Sequence, residues 1–343
     1  MWKKIVDYYK IPEAAKETST DSARFKKIRL ISFLTATLGY GMYYVCRLSM
    51  NVIRKPMVDD GVFTETEIGI IGSCLFFTYA IGKFCNGFIA DRSNVKKLMS
   101  TGLLISALIN LALGFTNSFI VFAVLWGING YFQSMGAASG VVSLSRWFDA
   151  SNRGTYYGYW SASHNLGEAI TFISIAILAT NFGWRYGLIG AGLIGIAYFF
   201  IMQWLMKDTP QKYGYLLEDA ISKKEEKNKA DFNASQKTVL CSPAIWILAL
   251  ASAFMYISRY AVNSWGVFYL ETMKGYSTLD ASFIISISSV CGIVGTVASG
   301  LISDKLFKGS RNIPALVFGL MNVLALCLFL LVPGVHFYID VIA

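Results

Sequence analysis

Nine apolar runs, each long enough to cross a hydrocarbon layer, leave this chain few ways to fold. They fall at about 30–53, 68–90, 98–117, 119–143, 157–181, 186–206, 244–270, 280–303 and 312–333. A bilayer-spanning helix needs about 20 such residues. Lipid offers the backbone no water, so each run must satisfy its own hydrogen bonds as a helix. Only 15% of the 343 residues are charged, against about 25% in a soluble domain. The first run follows a long charged leader, lacks a small-residue cleavage pattern and precedes further spans, so it is not a removable signal. The expected fold is an all-α membrane protein.

The formal charge of +9 is distributed by side. Residues 1–29 carry eight Lys or Arg against four Asp or Glu, and basic residues return after the second, fourth, sixth and eighth runs. The other connections are poor in them, apart from Arg54 and Lys55, which 54–67 offsets with four acids. This bias places the N-terminus and the middle loop, 207–243, in the cytoplasm of a multi-pass inner-membrane protein. The leader serves topology rather than nucleic acid. The Lys-Lys-Glu-Glu-Lys run at 223–227 reads as a solvated hinge. Six cysteines lie in or beside apolar segments without metal or disulfide spacing and read as small packing residues.

An internal repeat divides the chain. Gly87-Phe-Ile-Ala-Asp91-Arg92 closes the second run and Gly300-Leu-Ile-Ser-Asp304-Lys305 the eighth, an offset of 213 residues. Arg47 and Arg259, each deep in an apolar run, are offset by 212. Parallel six-helix halves explain both offsets. The expected organisation is a leader 1–29, a six-helix bundle 30–206, a cytoplasmic loop 207–243 and a partial second bundle 244–343. That second bundle holds about three helices and the start of a fourth. Relative to twelve spans, the expectation is a second bundle truncated after about three helices, with a natural nine-span protein as the other reading.

Charge at membrane depth needs a polar cavity or a counter-charge. Helical spacing gathers polar residues around each cation. Tyr40, Tyr44 and Arg47 share one face, as do Tyr79 and Lys83, and Tyr256, Arg259 and Asn263. Two guanidiniums and an ammonium suit a phosphate group, with bidentate arginine bonds adding geometry to charge. His164 and Glu168 also share a face. The histidine could bond or titrate with phosphate; Glu168 could supply a counter-charge, a structural link or an accessory coupling group. Asp91, Arg92 and Asp304 are accessory candidates at the membrane face. Gly136–Gly140 and Gly187, Gly190 and Gly195 lie within spans and read as helix-packing positions. Nothing in the sequence proposes a catalytic constellation, a metal site or a cofactor.

Gly39-Tyr-Gly-Met-Tyr-Tyr-Val-Cys-Arg47, Lys83-Phe with Asp91-Arg92-Ser93-Asn94, His164-Asn165-Leu166-Gly167, Asp208-Thr-Pro-Gln211 and Tyr256-Ile-Ser-Arg259-Tyr together resemble the organophosphate:phosphate antiporter family of the major facilitator superfamily. The resemblance runs from about residue 24 to the end. It implies a major facilitator fold and no enzymatic chemistry. It also implies paired substrate arginines at Arg47 and Arg259, a cavity lysine at Lys83, a cavity histidine at His164 and associated tyrosines at Tyr40, Tyr44, Tyr79 and Tyr256. Leu48 stands where glycerol-3-phosphate transporters carry another basic residue, and Glu168 where small residues are usual.

The expected function is secondary antiport of a sugar phosphate, with hexose 6-phosphate in first place, against inorganic phosphate by alternating access. The alternatives are a membrane sensor of sugar phosphate signalling to a histidine kinase, and a glycerol-3-phosphate:phosphate antiporter. Expected partners are the organophosphate, inorganic phosphate and membrane lipid, with the protein a monomer and a histidine kinase engaged only under the sensor reading.

Overall fold

The computed structural model describes residues 7–13, 15, 21–215, 241–305 and 312–342, without the side chains of 150, 151, 296–305, 312 and 314. The 223–227 charge run therefore lies outside the described residues, and so do the side chains of Asp304 and Lys305 in the second copy of the repeat. Regular structure among the described residues is helical throughout. The long helices are α1 (Ser22–Asp59), α2 (Glu65–Arg92), α3 (Val95–Leu113), α4 (Phe119–Trp147), α5 (Ala150–Phe182) and α6 (Trp184–Leu205). After a 3-10 turn at Pro210–Tyr213 come α7 (Pro243–Tyr269), α8 (Thr278–Lys305), α9 (Asn312–Leu331) and a short α10 (Phe337–Ile342).

Each of the nine apolar runs lies in one of α1–α9, but only seven helices, α2–α8, have described stretches long and apolar enough to span by themselves. In α9 the described apolar stretch, Ala315–Leu331, is shorter. The physical reason differs for α1. Its centre carries tyrosines, serines and arginines, yet every residue from Tyr43 to Arg54 is buried. A helix enclosed on all sides can turn polar groups toward protein rather than lipid. It also continues through Pro56 to Asp59, so Arg54, read above as part of a connection, is 2% exposed inside α1.

Local signals set the helix starts. The Asp21 side chain accepts from the Arg24 amide at 2.9 Å. Thr64 and Glu67 form a reciprocal capping box before α2, and Asn94 caps α3 by accepting from the Lys97 amide at 3.0 Å. Such caps satisfy amides that have no partner within the helix. Helix α2 packs on α4, α3 on α6, and α1 against both α5 and α6. Beyond these, α5 meets α8 and α7 meets α1.

Small residues allow the closest crossings. A Cβ at Gly167 would lie 2.6 Å from the Gly41 carbonyl oxygen, so only glycine lets α5 approach α1 there. At the α2–α4 crossing a Cβ on Gly130 would collide with the Leu75 carbonyl, and Thr78 Oγ1 donates to the Gly127 carbonyl at 2.6 Å. Asn110 joins α3 to α1, accepting from Ser49 Oγ at 2.7 Å and donating to the Cys46 carbonyl at 2.8 Å. Farther along the chain, α10 delivers Asp340 to Lys274 and to Tyr276, whose hydroxyl donates to it at 2.6 Å.

Candidate functional site

The Gly41–Gly167 crossing puts the polar face of α1 beside that of α5, and the α1–α7 contact adds a third face. Between them lies a cavity of about 190 Å³ lined by Tyr40, Tyr44, Arg47, Tyr79, Lys83, His164, Glu168, Tyr256 and Arg259, among others. Both arginines, the lysine, the histidine and the four tyrosines singled out from sequence thus converge on one space. Asn263 lines an adjoining cavity of about 520 Å³, which shares His164, Glu168, Tyr256 and Arg259 with the first.

Arg47 is 7% exposed, and no ion pair or side-chain hydrogen bond engages it among the described residues. Its guanidinium instead lies 4.0 Å from the centre of the Tyr44 ring and 5.4 Å from that of Tyr79. Cation–π contact holds the group over aromatic faces without consuming its donors. Lys83 is exposed to the cavity, its Nζ 5.1 Å from the Tyr79 ring centre. Tyr40 stacks on Trp160 at 4.5 Å, with its hydroxyl 3.5 Å from that of Tyr44. Burial of the aromatic bodies leaves their hydroxyls as the cavity's polar lining.

The second arginine is placed differently. Arg259 Nη2 donates to Asn165 Oδ1 at 3.3 Å and meets Glu168 Oε1 at 3.5 Å. Glu168 is 3% exposed and accepts from Asn263 Nδ2 at 3.0 Å and Ser289 Oγ at 3.4 Å. Of the roles left open for Glu168, counter-charge to Arg259 and link between α5, α7 and α8 both describe its contacts. His164 lines the same cavity as both arginines, its ring 5.7 Å from that of Tyr44. Its Nε2 is buried without a hydrogen-bond partner.

A model of the Major Facilitator Superfamily matches residues 30–343. A Chlamydia muridarum protein named "Probable hexose phosphate transport protein" is 34% identical over 340 residues, covering 93% of this chain and 74% of that one. The "Membrane sensor protein UhpC" of Salmonella typhimurium is 32% identical over 304 residues, covering 86% and 69%. The chain belongs to the organophosphate:phosphate antiporter family of the major facilitator superfamily. The "Glycerol-3-phosphate transporter" of Bacillus subtilis is also similar, at 30% identity over 95% of this chain and 76% of its own length. In fold, the chain matches a bacterial homologue of the human lysosomal transporter Spinster, crystallised inward-facing and unoccupied. That likeness has a TM-score of 0.74 at 19% identity, covering 92% of this chain and 72% of the other. Family and fold are those of a multi-pass secondary transporter, not of an enzyme.

In this major facilitator protein two of the accessory candidates, Asp91 and Arg92, do not line the cavity, and the side chain of Asp304 lies outside the described residues. Asp91 and Arg92 are exposed at the end of α2. Asp91 takes part through its backbone carbonyl, which accepts from Arg146 at 3.2 Å. The network there centres on Arg146 and Asp208, paired at 3.2 Å, with Asp208 also accepting from the Val95 amide at 2.6 Å. Burial pushes the Asp208 carboxyl up, while Arg146 and the Val95 amide act in the opposite direction.

Sequence reasoning passed over Tyr260, which lines the cavity and reaches Phe76 of α2 at 5.5 Å between ring centres. It also passed over Asn51, whose Nδ2 donates to the Asn263 carbonyl at 3.1 Å, across 212 residues. The signal was available: Tyr44/Tyr256, Arg47/Arg259 and Asn51/Asn263 all share that offset.

Proposed function

We propose that this protein is an antiporter that exchanges a sugar phosphate, hexose 6-phosphate in first place, for inorganic phosphate by alternating access. One observation carries the reading. Arg47 is a buried guanidinium without a carboxylate partner among the described residues, facing the same cavity as Arg259. A phosphate bridging the two would supply that partner through charge-assisted bonds. Lys83 and His164 would admit and orient the phosphate, while Tyr40, Tyr44, Tyr79, Tyr256 and Asn263 contact the organic part. Leu48 beside Arg47 favours a sugar phosphate over glycerol 3-phosphate.

In this reading the protein is a monomer in the inner membrane with its N-terminus cytoplasmic, and residues 30–206 and 244–343 belong to separate moving bundles. Differential ligand affinity of the two access states drives the exchange. Asp91, Arg92 and Asp304 act on the bundle faces rather than on the ligand. The second reading, a sugar-phosphate sensor coupled to a histidine kinase, draws its support from the similarity to the Salmonella typhimurium sensor.

Counterflow in proteoliposomes tests the proposal. Phosphate-loaded vesicles should take up labelled glucose 6-phosphate faster than glycerol 3-phosphate, and uptake should vanish without internal phosphate. Saturable glucose 6-phosphate binding without exchange would transfer the protein to the sensor reading.

A further inference from the structure

We propose that Arg54 is a second anion site, a capture point toward the end of α1, where the arriving phosphate group itself loosens the seal between α1 and α7. The inference rests on the phosphate-ester reading above. Arg54 follows Arg47 by seven residues and so lies on the same helical face, about 10 Å further along the axis. A small cavity of about 10 Å³ lies between them, its lining including Arg47, Asn51, Arg54, Glu168 and Asn263. That is about the room one water needs.

The guanidinium of Arg54 is enclosed but underused. Its Nη2 donates to Asn51 Oδ1 at 3.0 Å, while Nε and Nη1 are buried with no hydrogen-bond partner. No carboxylate pairs with it among the described residues. Its guanidinium also lies 4.2 Å from the centre of the Trp265 ring. An arginine that serves as a brace spends its donors, as Arg146 does on Asp208 and the carbonyls of Ala90, Asp91 and Ser93. A buried cation without such partners carries an uncompensated desolvation cost, and an anion presenting several acceptor oxygens removes it.

The hydrogen bond to Asn51 and the contact with Trp265 both belong to the α1–α7 junction. Trp265 is on α7, and the Asn51 amide that accepts from Arg54 also donates to the Asn263 carbonyl of α7. An anion taking the free edge of Arg54 draws the guanidinium off Asn51 and Trp265. The seal weakens only when ligand is there to enter, and Arg47 is the next cation along the face. Anion arrival and opening become one event.

The test measures exchange by the full-length protein in vesicles of known orientation, with glucose 6-phosphate or inorganic phosphate supplied to one face at a time. Arg54→Gln should raise the apparent KM from the face nearest the end of α1 by about tenfold, the lower end of electrostatic capture effects. From the opposite face it should change less than twofold. Arg54→Lys, which keeps the charge, should recover most of the loss. Equal KM on both faces, or an equal rise on both, overturns the inference. If Arg54→Gln fails to insert, Trp265→Leu must still change KM from that one face only, and symmetric behaviour overturns it. For a protein that binds without exchanging, association rates of labelled phosphate from each face carry the same comparison. Arg47→Lys separates the two claims. If it behaves as wild type, the central clamp has failed; if it loses exchange while Arg54→Gln stays symmetric, only the outer site has.

Discussion

Two buried cations in this protein have opposite surroundings. Lys274 is closed in with Asp340, both side chains nearly inaccessible, and Tyr276 completes the carboxylate's bonding. Arg47 is buried to a similar degree, but among the described residues no carboxylate pairs with it; its guanidinium lies over the Tyr44 ring in a cavity whose lining also includes Glu168. A paired charge is a joint between elements, here α10 and the π-helical turn Leu270–Lys274 that follows α7. Under the proposed function, an unpaired charge beside a cavity takes its partner from the ligand. Glu168 at Arg259 is intermediate: a carboxylate that a phosphate could displace from a cation 40% exposed at its side chain.

The contrast can be broken at either end. Asp340→Ala strands Lys274 without a counter-charge, and should cost about 3–5 kcal/mol of stability by chemical unfolding in detergent. The double change Lys274→Met with Asp340→Leu should recover most of that. A loss below about 1 kcal/mol for the single change would mean that the pair is not a joint. Arg47→Gln should do the reverse. Stability stays level or rises, because no partner is stranded, while glucose 6-phosphate affinity falls at least thirtyfold, equivalent to about 2 kcal/mol. Destabilisation as large as that of Asp340→Ala would reassign Arg47 to the scaffold.

The intermediate case sharpens the contrast. Glu168→Gln removes a charge that competes for Arg259, so phosphate-ester affinity by titration calorimetry should rise about fivefold, or ~1 kcal/mol. Weaker binding would mean that Glu168 helps to hold the ligand. Lys83 is the smallest effect, being exposed and, among the described residues, held only by the Tyr79 ring. Its Gln variant should bind about threefold more weakly at low salt, with the difference fading as ionic strength rises. A salt-independent loss would argue for direct contact.

Much of this contrast was legible in the chain. Helical spacing assigned Tyr40, Tyr44 and Arg47 to one face, and the 212-residue offset paired that face with Arg259. What spacing could not show was the opposite case. Lys274 reads as an ordinary interfacial lysine until the fold brings Asp340 back to it across 66 residues. Arg54 was hidden for a local reason. Arg54-Lys55-Pro56 looks like a helix end, since proline removes a helix donor and biases the residue before it. The helix nevertheless runs on to Asp59, because packing around α1 outweighs that local cost. The direction in which Glu168 points was likewise a tertiary matter, decided by Asn263 on α7 and Ser289 on α8.

The central claim is that one phosphate group bridges Arg47 and Arg259. Titration calorimetry of glucose 6-phosphate against wild type, Arg47→Lys and Arg259→Lys tests it most directly, because lysine keeps the charge and removes the bidentate fork. The clamp requires both variants to lose at least about tenfold in affinity while remaining folded. Wild-type binding by both would contradict it.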